Sequence, residues 1–435
     1  MPVIAPLDAH DHPVRLLVED DLHRNRLTVF FRLLLAIPHL IWLALWSIAA
    51  LVVTVVNWFA TLITGRPPAA LHAFLSRYVR YTVHLNAYLY LAANPYPPFV
   101  GEPGAYVVDV DLPPPEAQAR WKTLLRIILA LPALLLSAAL GGAGGPLLNT
   151  RGRGRTGRYS SGGPGALLGI CAFLGWFASL ATGRMPRGLR DATVYGVGYN
   201  AHVASYLLLL TDRYPNVDPN ALLEQLPRPL EHPVHLIGDA HELRRSRLTV
   251  FFRLPLAVPH IVWLALWTVA AVLLGIVNWF ATLVSGRPPG AFHRFLSAYV
   301  RYTLHVYAFI YLAANPFPGF TGAAGRYPLD LEVPATPQRQ NRWKTAFRII
   351  LVVPAVLVNA GLGSALVLSA VYTWFVALLT GAAPWGLRNL SAYALRYAGQ
   401  QNAYLFLLTD RYPNASPLEG EDTPEQLELE SAAAA

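Results

Sequence analysis

Ten basic side chains recur at fixed places along this chain, and their chemistry sets the first question. Arg32, Arg126, Arg253 and Arg348 each stand directly ahead of a long apolar run. A guanidinium in that position can fork onto the phosphate of an anionic lipid headgroup. It can equally snorkel to the membrane surface as a plain anchor. A second set pairs Arg80 with His84 and Arg301 with His305, four residues apart. In the matching places stand Gly198 with His202, and Arg396 with Gln400. Ionisable groups at membrane depth are candidate proton relays or anion sites. On a helix lying in the interface the same groups would simply face water and headgroups.

Other chemistries find little support. Asp8, His10, Asp11 and His12 are metal-ligand types, but they sit in a terminal stretch expected to be flexible. His12-Pro13 recurs as His232-Pro233 without counterparts of Asp8 and His10, so no metal site is expected. Cys171 is the only cysteine, which excludes a disulfide framework and a thiolate cluster. Asp212-Arg213 and Asp410-Arg411 precede Tyr-Pro at helix ends and read as local capping turns. Walker A, Rossmann, Gly-x-Ser-x-Gly and His-Glu-x-x-His patterns are missing, so neither a cofactor nor an enzymatic activity is expected.

The elements that carry these residues are repeated. Arg26-Leu-Thr-Val-Phe-Phe-Arg32 returns as Arg247-Leu-Thr-Val-Phe-Phe-Arg253, and Asn57-Trp-Phe-Ala-Thr-Leu as Asn278-Trp-Phe-Ala-Thr-Leu. Arg120-Trp-Lys-Thr answers to Arg342-Trp-Lys-Thr, and Thr211-Asp-Arg-Tyr-Pro215 to Thr409-Asp-Arg-Tyr-Pro413. Each unit divides again: Arg32, Pro38, Trp58, Gly65 and His84 align with Arg126, Pro132, Trp176, Gly183 and His202. The first unit therefore spans 13–217, with quarters 13–100 and 104–217. The second spans 232–414, with quarters 232–320 and 326–414. A flexible start (1–12), a linker (218–231) and an acidic disordered tail (415–435) complete the chain.

Every quarter opens on an alternating stretch, such as Val14–Glu19 or Tyr106–Asp111, that reads as a half-buried strand. Four such strands are expected to form one small cytoplasmic sheet. An open edge cannot lie in hydrocarbon, so all four belong on one side and each quarter crosses an even number of times. Leu33 to Ile63 carries no charged residue. That is about 47 Å of helix against about 30 Å of hydrocarbon. Either a transmembrane hairpin or one long kinked span would fit. The Gly/Arg-rich insertion at 141–165, and the turn-like Asn359-Ala-Gly-Leu-Gly-Ser364, favour the hairpin. An amphipathic helix follows, with Ser76, Arg77, Arg80 and His84 on one arc; this suits an interfacial helix or a span facing a polar interior.

Composition agrees with a membrane. Hydrophobic residues make up 54% of the chain and charged ones only 14%, too few for a soluble surface. The net charge of +9 then reads as cytoplasmic loops facing anionic lipid, with no nucleic acid involved. Lys122 and Lys344 are the only lysines; the arginine- and alanine-rich balance hints at a bacterial source. By the positive-inside rule the strand side, with both termini, is cytoplasmic.

Phe31-Arg-Leu-Leu-Leu-Ala-Ile-Pro-His39, Trp58-Phe, Thr64-Gly-Arg-Pro and the Leu-Leu-Thr-Asp-Arg-Tyr-Pro endings resemble a bacterial membrane family, domain of unknown function 4389, in serial copies. Quarter two departs through its insertion and quarter four through Gly381-Ala-Ala-Pro384. The resemblance implies a mainly α, multi-pass protein of the bacterial cytoplasmic membrane and supplies no chemistry. Two functions are weighed: a scaffold that binds lipid or partner proteins, and a transporter or channel whose pathway is lined by the Arg/His face.

Overall fold

The computed structural model describes residues 12–141, 166–238 and 243–421, and the chain divides into two compact units between Pro227 and Arg228. In the first unit the order is β1 (Arg15–Val18), α1 (Arg26–Phe30), α2 (Arg32–Thr64), α3 (Ala69–Leu89), β2 (Val108–Asp111), α4 (Arg120–Leu124), α5 (Arg126–Leu140), α6 (Leu167–Thr182), α7 (Arg187–Leu207) and α8 (Pro219–Leu222). The second repeats it as β3 (His235–Gly238), α9 (Arg247–Phe251), α10 (Arg253–Ser285), α11 (Gly290–Ile310), β4 (Leu329–Glu332), α12 (Arg342–Ala346), α13 (Arg348–Leu351), α14 (Val353–Thr380) and α15 (Trp385–Leu405).

The strands fall inside the alternating stretches, but they pair differently from the expectation. Among the described residues β1 joins only β2, and β3 joins only β4, as two separate antiparallel ladders. The register explains the closure. The shift that carries Arg32 onto Arg126 also carries Leu16 onto Val110, and those two residues are ladder partners. Likewise the shift from Arg253 to Arg348 carries Leu236 onto its partner Leu331. Each ladder is thus centred on a twofold relation between its quarters, which two strands already satisfy.

The apolar runs also depart from the favoured hairpin. Residues 32–64 and 253–285 are each one unbroken helix, and α14 continues for 28 residues through Gly361 and Gly363. Nothing at Trp46–Ser47 breaks the first run, and an apolar setting offers freed backbone groups no replacement partner. The alternative of one long element is therefore what folds. The helices at 32–64, 253–285 and 348–380 are long and apolar enough to cross a membrane. In quarter two the run is divided into α5 and α6, which both pack on α7; the insertion between them lies outside the described residues.

Each long helix stops on a glycine in the left-handed region: Gly65, Gly183, Gly286 and Gly381, with φ between 73° and 76°. The carbonyl of each glycine then accepts a hydrogen bond from the other quarter of its unit. Gln118 N–H donates to Gly65 at 2.8 Å, and Arg24 N–H to Gly183 at 2.9 Å. Gln340 and Arg245 do the same for Gly286 and Gly381. A tryptophan near each end repeats the exchange. The indoles of Trp58 and Trp176 donate to the carbonyls of Thr123 and Val29, and those of Trp279 and Trp374 to Thr345 and Val250. Trp58→Phe removes the indole bond to the Thr123 carbonyl, so a loss of about 1 kcal/mol is expected. Chemical denaturation in detergent measures it; an unchanged midpoint would show the contact to be idle.

Two expected irregular segments are ordered in part. The linker region contains α8 and buries Leu222, Leu223 and Leu226. The tail is packed as far as Glu421, with Ala415, Ser416 and Leu418 buried; residues 422–435 lie outside the described residues.

Candidate functional site

The helices α3, α7, α11 and α15 carry the Arg/His positions, and they form the interior of their respective units. Within each unit the two of them pack together; the long helices lie against them, and α3, α11 and α15 contact the strands. Arg80, His84, His202, His305 and Arg396 are accordingly buried, and Arg301 is half-buried. The interfacial placement, with this arc facing headgroups, is not what the structure shows. Both faces of these helices are covered.

His84 Nε2 meets Asp109 Oδ1 at 2.9 Å, and Arg80 Nε lies 3.7 Å from the same oxygen while donating to the Val110 carbonyl at 3.1 Å. The backbone N–H groups of Gly104 and Val110 donate to the two Asp109 oxygens. Burial works against this carboxylate's charge, yet the bonds from His84, Gly104 and Val110 hold its pKa below the ordinary value. The second unit repeats the constellation: His305 on Asp330 at 2.7 Å, Arg301 on the Leu331 carbonyl, and N–H donors from Gly325 and Leu331. Asp330 is lowered in the same way, burial opposing and His305 prevailing together with its coulombic attraction.

The even quarters use the same helical position on backbone. His202 Nε2 pairs with the Val14 carbonyl, and the Gln400 amide donates to that of Val234. Each helix therefore grips the strand segment that opens the opposite quarter. Arg396 instead donates to the carbonyls of Ser416 and Pro417, tying down the start of the tail.

Arg32, Arg126, Arg253 and Arg348 are 1–2% exposed, among the largest fully buried side chains in the protein. Each lies over an aromatic ring near the end of the adjacent helix, at 4.0–4.4 Å: Tyr88, Tyr206, Phe309 and Tyr404. Each also donates to carbonyls in the last turn of that helix or in the loop beyond it, Arg126 to that of Thr211. Arg32 reaches Tyr88 and Ala93, Arg253 reaches Ala314 and Asn315, and Arg348 reaches Tyr404 and Thr409. Arg126 and Arg348 add the carboxylates of Asp212 and Asp410. In this arrangement the guanidinium closes a helix end; it does not point to a headgroup. The loops themselves turn on Leu91, Leu209, Leu312 and Leu407, all left-handed with φ of 62–64°. Such a conformation costs a side-chain-bearing residue about 1–2 kcal/mol. The four leucines tolerate it because their side chains fill the core.

Asp109 and Asp330 escaped the sequence reading. Their only trace is an acid set between two inward-facing apolar residues of a short strand, at one repeat position. Among the described residues the hydrogen bonds of His84 and His305 run to Asp109 and Asp330. The described residues contain no group of three or more His, Cys, Asp or Glu suited to a metal. Of the terminal cluster only His12 is described. Its Nδ1 accepts from the Val14 N–H, as that of His232 does from Val234. Burial lowers both imidazoles to a pKa of about 4.

That shift has a sign. An unfolded histidine titrates near 6.5, so between pH 6.5 and 4 the unfolded chain binds more protons. The stability from neutral His232 is complete above 6.5 and lost as pH falls towards 4, about 3 kcal/mol at the limit. Melting in detergent from pH 7 to 4 should show the fall, and His232→Asn should reduce its slope. An identical slope in the variant would refute the assignment.

A family model described as a domain of unknown function (DUF4389) matches residues 26–101, 165–217, 247–321 and 342–416, more than half of the chain. In quarter two the match begins where the insertion ends. No curated protein and no solved structure matches.

Proposed function

The chain belongs to the domain of unknown function 4389 family, in four serial copies, and we propose that it is a non-catalytic scaffold of the bacterial cytoplasmic membrane that gathers anionic lipid or partner proteins. One observation carries the reading: the polarity of the long helices is inverted. On α2 the buried residues are Arg32, Ala36, His39, Ser47, Ala50, Asn57 and Thr61, while the outward ones run from Leu33, 77% exposed, to Ile63, 74% exposed. Helix α10 repeats this with Arg253, His260, Asn278 and Thr282 inside. Water would select the opposite arrangement, whereas lipid selects this one. The lipid contacts fall to the exposed Arg26, Arg66, Arg120 and Arg184, since the four buried arginines are occupied. A transport pathway along Arg80 and His84 has less support, because Arg80 Nε is bonded to the Val110 carbonyl and His84 Nε2 to Asp109.

The test is extraction and lipid retention. The protein should stay with the membrane after alkaline carbonate washing and co-purify with anionic lipid. Replacing Arg26, Arg66, Arg120 and Arg184 together by Gln should cut that enrichment several-fold. Release by carbonate, or enrichment unchanged in the variant, refutes the proposal. Solute flux in proteoliposomes that His84→Gln abolishes would favour transport instead.

A further inference from the structure

We infer that the apolar face of each unit is a docking surface for one leaflet of a bilayer, its long helices lying along the membrane plane without crossing it. The inference rests on the membrane reading above and adds an orientation to it.

It follows from the twofold relation within a unit. The axis that exchanges the two strands of an antiparallel pair stands perpendicular to their sheet. In the first unit it passes between Leu16 and Val110, which are both partners and repeat equivalents. Equivalent residues of the two quarters therefore lie at equal heights along it. Arg24 and Gln118 are such equivalents. Gln118 N–H is 2.8 Å from the carbonyl of Gly65, the residue that ends α2. The end of α2 is thus level with Gln118, and so with Arg24; Trp58, bonded to the carbonyl of Thr123, is likewise close in height to Val29, three residues ahead of the start of α2. The reciprocal bond from Arg24 to Gly183, at 2.9 Å, levels the end of α6 in the same way. A helix of 33 residues, about 50 Å long, begins and ends at one height, so it runs across the axis and parallel to the sheet.

A crossing α2 would then require the axis to lie in the membrane plane. Because that axis exchanges the two quarters, it would sit at mid-depth, and the β1–β2 ladder centred on it would lie there too. The open ladder and its exposed Arg15, Glu19 and Asp111 would face hydrocarbon, which offers an open strand edge and charged groups no partner. With the axis along the membrane normal the conflict disappears. The ladder stands on the water side of α3 and α7, and the α2, α5 and α6 layer meets the lipid.

Three further features agree. About 50 Å greatly exceeds the roughly 30 Å a perpendicular span needs. Outward apolar residues continue along the whole of α2. The exposed cations Arg26, Arg66, Arg120 and Arg184 flank the helix ends, beside the exposed Trp121 of α4, as expected for a rim at headgroup level. The second unit meets the same conditions by itself: Leu236 is paired with Leu331, and Gln340 and Arg245 donate to Gly286 and Gly381. Even parity is kept in both units, with zero crossings.

Depth measurement tests this on the full chain. In a Cys171→Ala background, Leu34→Cys, Ile41→Cys, Ile48→Cys, Val55→Cys and Phe59→Cys, all exposed apolar positions, would each carry a spin label. The protein would be placed in phosphatidylethanolamine–phosphatidylglycerol vesicles, and paramagnetic accessibility to oxygen and to a polar nickel complex compared. The expected profile is flat, with all five labels at one shallow depth, about 5–10 Å into the headgroup–acyl boundary. A steady trend from 34 to 59 would mean a crossing, and a deepest point at 48 a two-legged insertion; either overturns the inference and leaves the membrane reading intact. Labels accessible to water throughout would sink both. Val262→Cys, Val269→Cys and Ile276→Cys in α10 provide a second set should the first-unit variants fail to assemble.

Discussion

Arg32→Lys is expected to destabilise the first unit by about 3 kcal/mol, nearly as much as Arg32→Met. The guanidinium lies over the Tyr88 ring at 4.3 Å and reaches the Tyr88 and Ala93 carbonyls from one terminal nitrogen and Asn94 from the other. An ammonium is a point charge; it cannot stack on the ring and span those acceptors together. Hydrogen bonds from a charged donor contribute about 1.5–3 kcal/mol each, and the abandoned carbonyls are left buried. A headgroup anchor would behave otherwise, because lysine serves an anionic surface almost as well. Thermal unfolding in detergent, followed by tryptophan fluorescence, decides between them. A lysine variant within about 0.5 kcal/mol of the parent would return Arg32 to the anchoring role.

Asp109→Ala should cost more, about 3–5 kcal/mol, the usual penalty for removing one member of a buried pair. The substitution strands His84 Nε2 and the N–H groups of Gly104 and Val110 at once. It also leaves Arg80 on the Val110 carbonyl as the remaining side-chain bond from α3 to the strand that begins the second quarter. Combining it with His84→Leu should recover part of the loss, since the imidazole no longer needs a partner. That coupling is what a double-mutant cycle measures. Strictly additive effects would show that the two side chains do not act as a pair.

The sequence revealed the plan of the chain better than its arrangement in space. The repeated Arg26–Arg32 and Arg247–Arg253 segments fixed the duplication, and alternation at Val14–Glu19 and Tyr106–Asp111 located the strands to within two residues. The hairpin expectation failed because Asn359-Ala-Gly-Leu-Gly-Ser364 has turn composition, whereas a helix in an apolar setting can hold its glycines. One sheet of four was expected because composition says which residues alternate, not which edges meet; the register that closes each pair is a property of the folded unit. Burial of Arg32 and its equivalents was illegible for a related reason. Their main partners are backbone carbonyls, which every sequence has and none advertises. Asp109 and Asp330 stood in plain view, but only the fold brings them to His84 and His305.

The exchange of glycine and tryptophan contacts between quarters has a consequence for assembly. Trp58 finishes its work on Thr123, and Trp176 reaches back to Val29, 147 residues away. A quarter emerging alone from the ribosome has half a ladder, an uncapped helix end and a strand with no helix to receive it. It can condense only when its sibling arrives, and closing such long loops is slow. Quarters of this chain are therefore expected to be stable in pairs. One quarter expressed alone is expected to borrow the other from a second molecule, as a twofold homodimer built on the same self-paired residue.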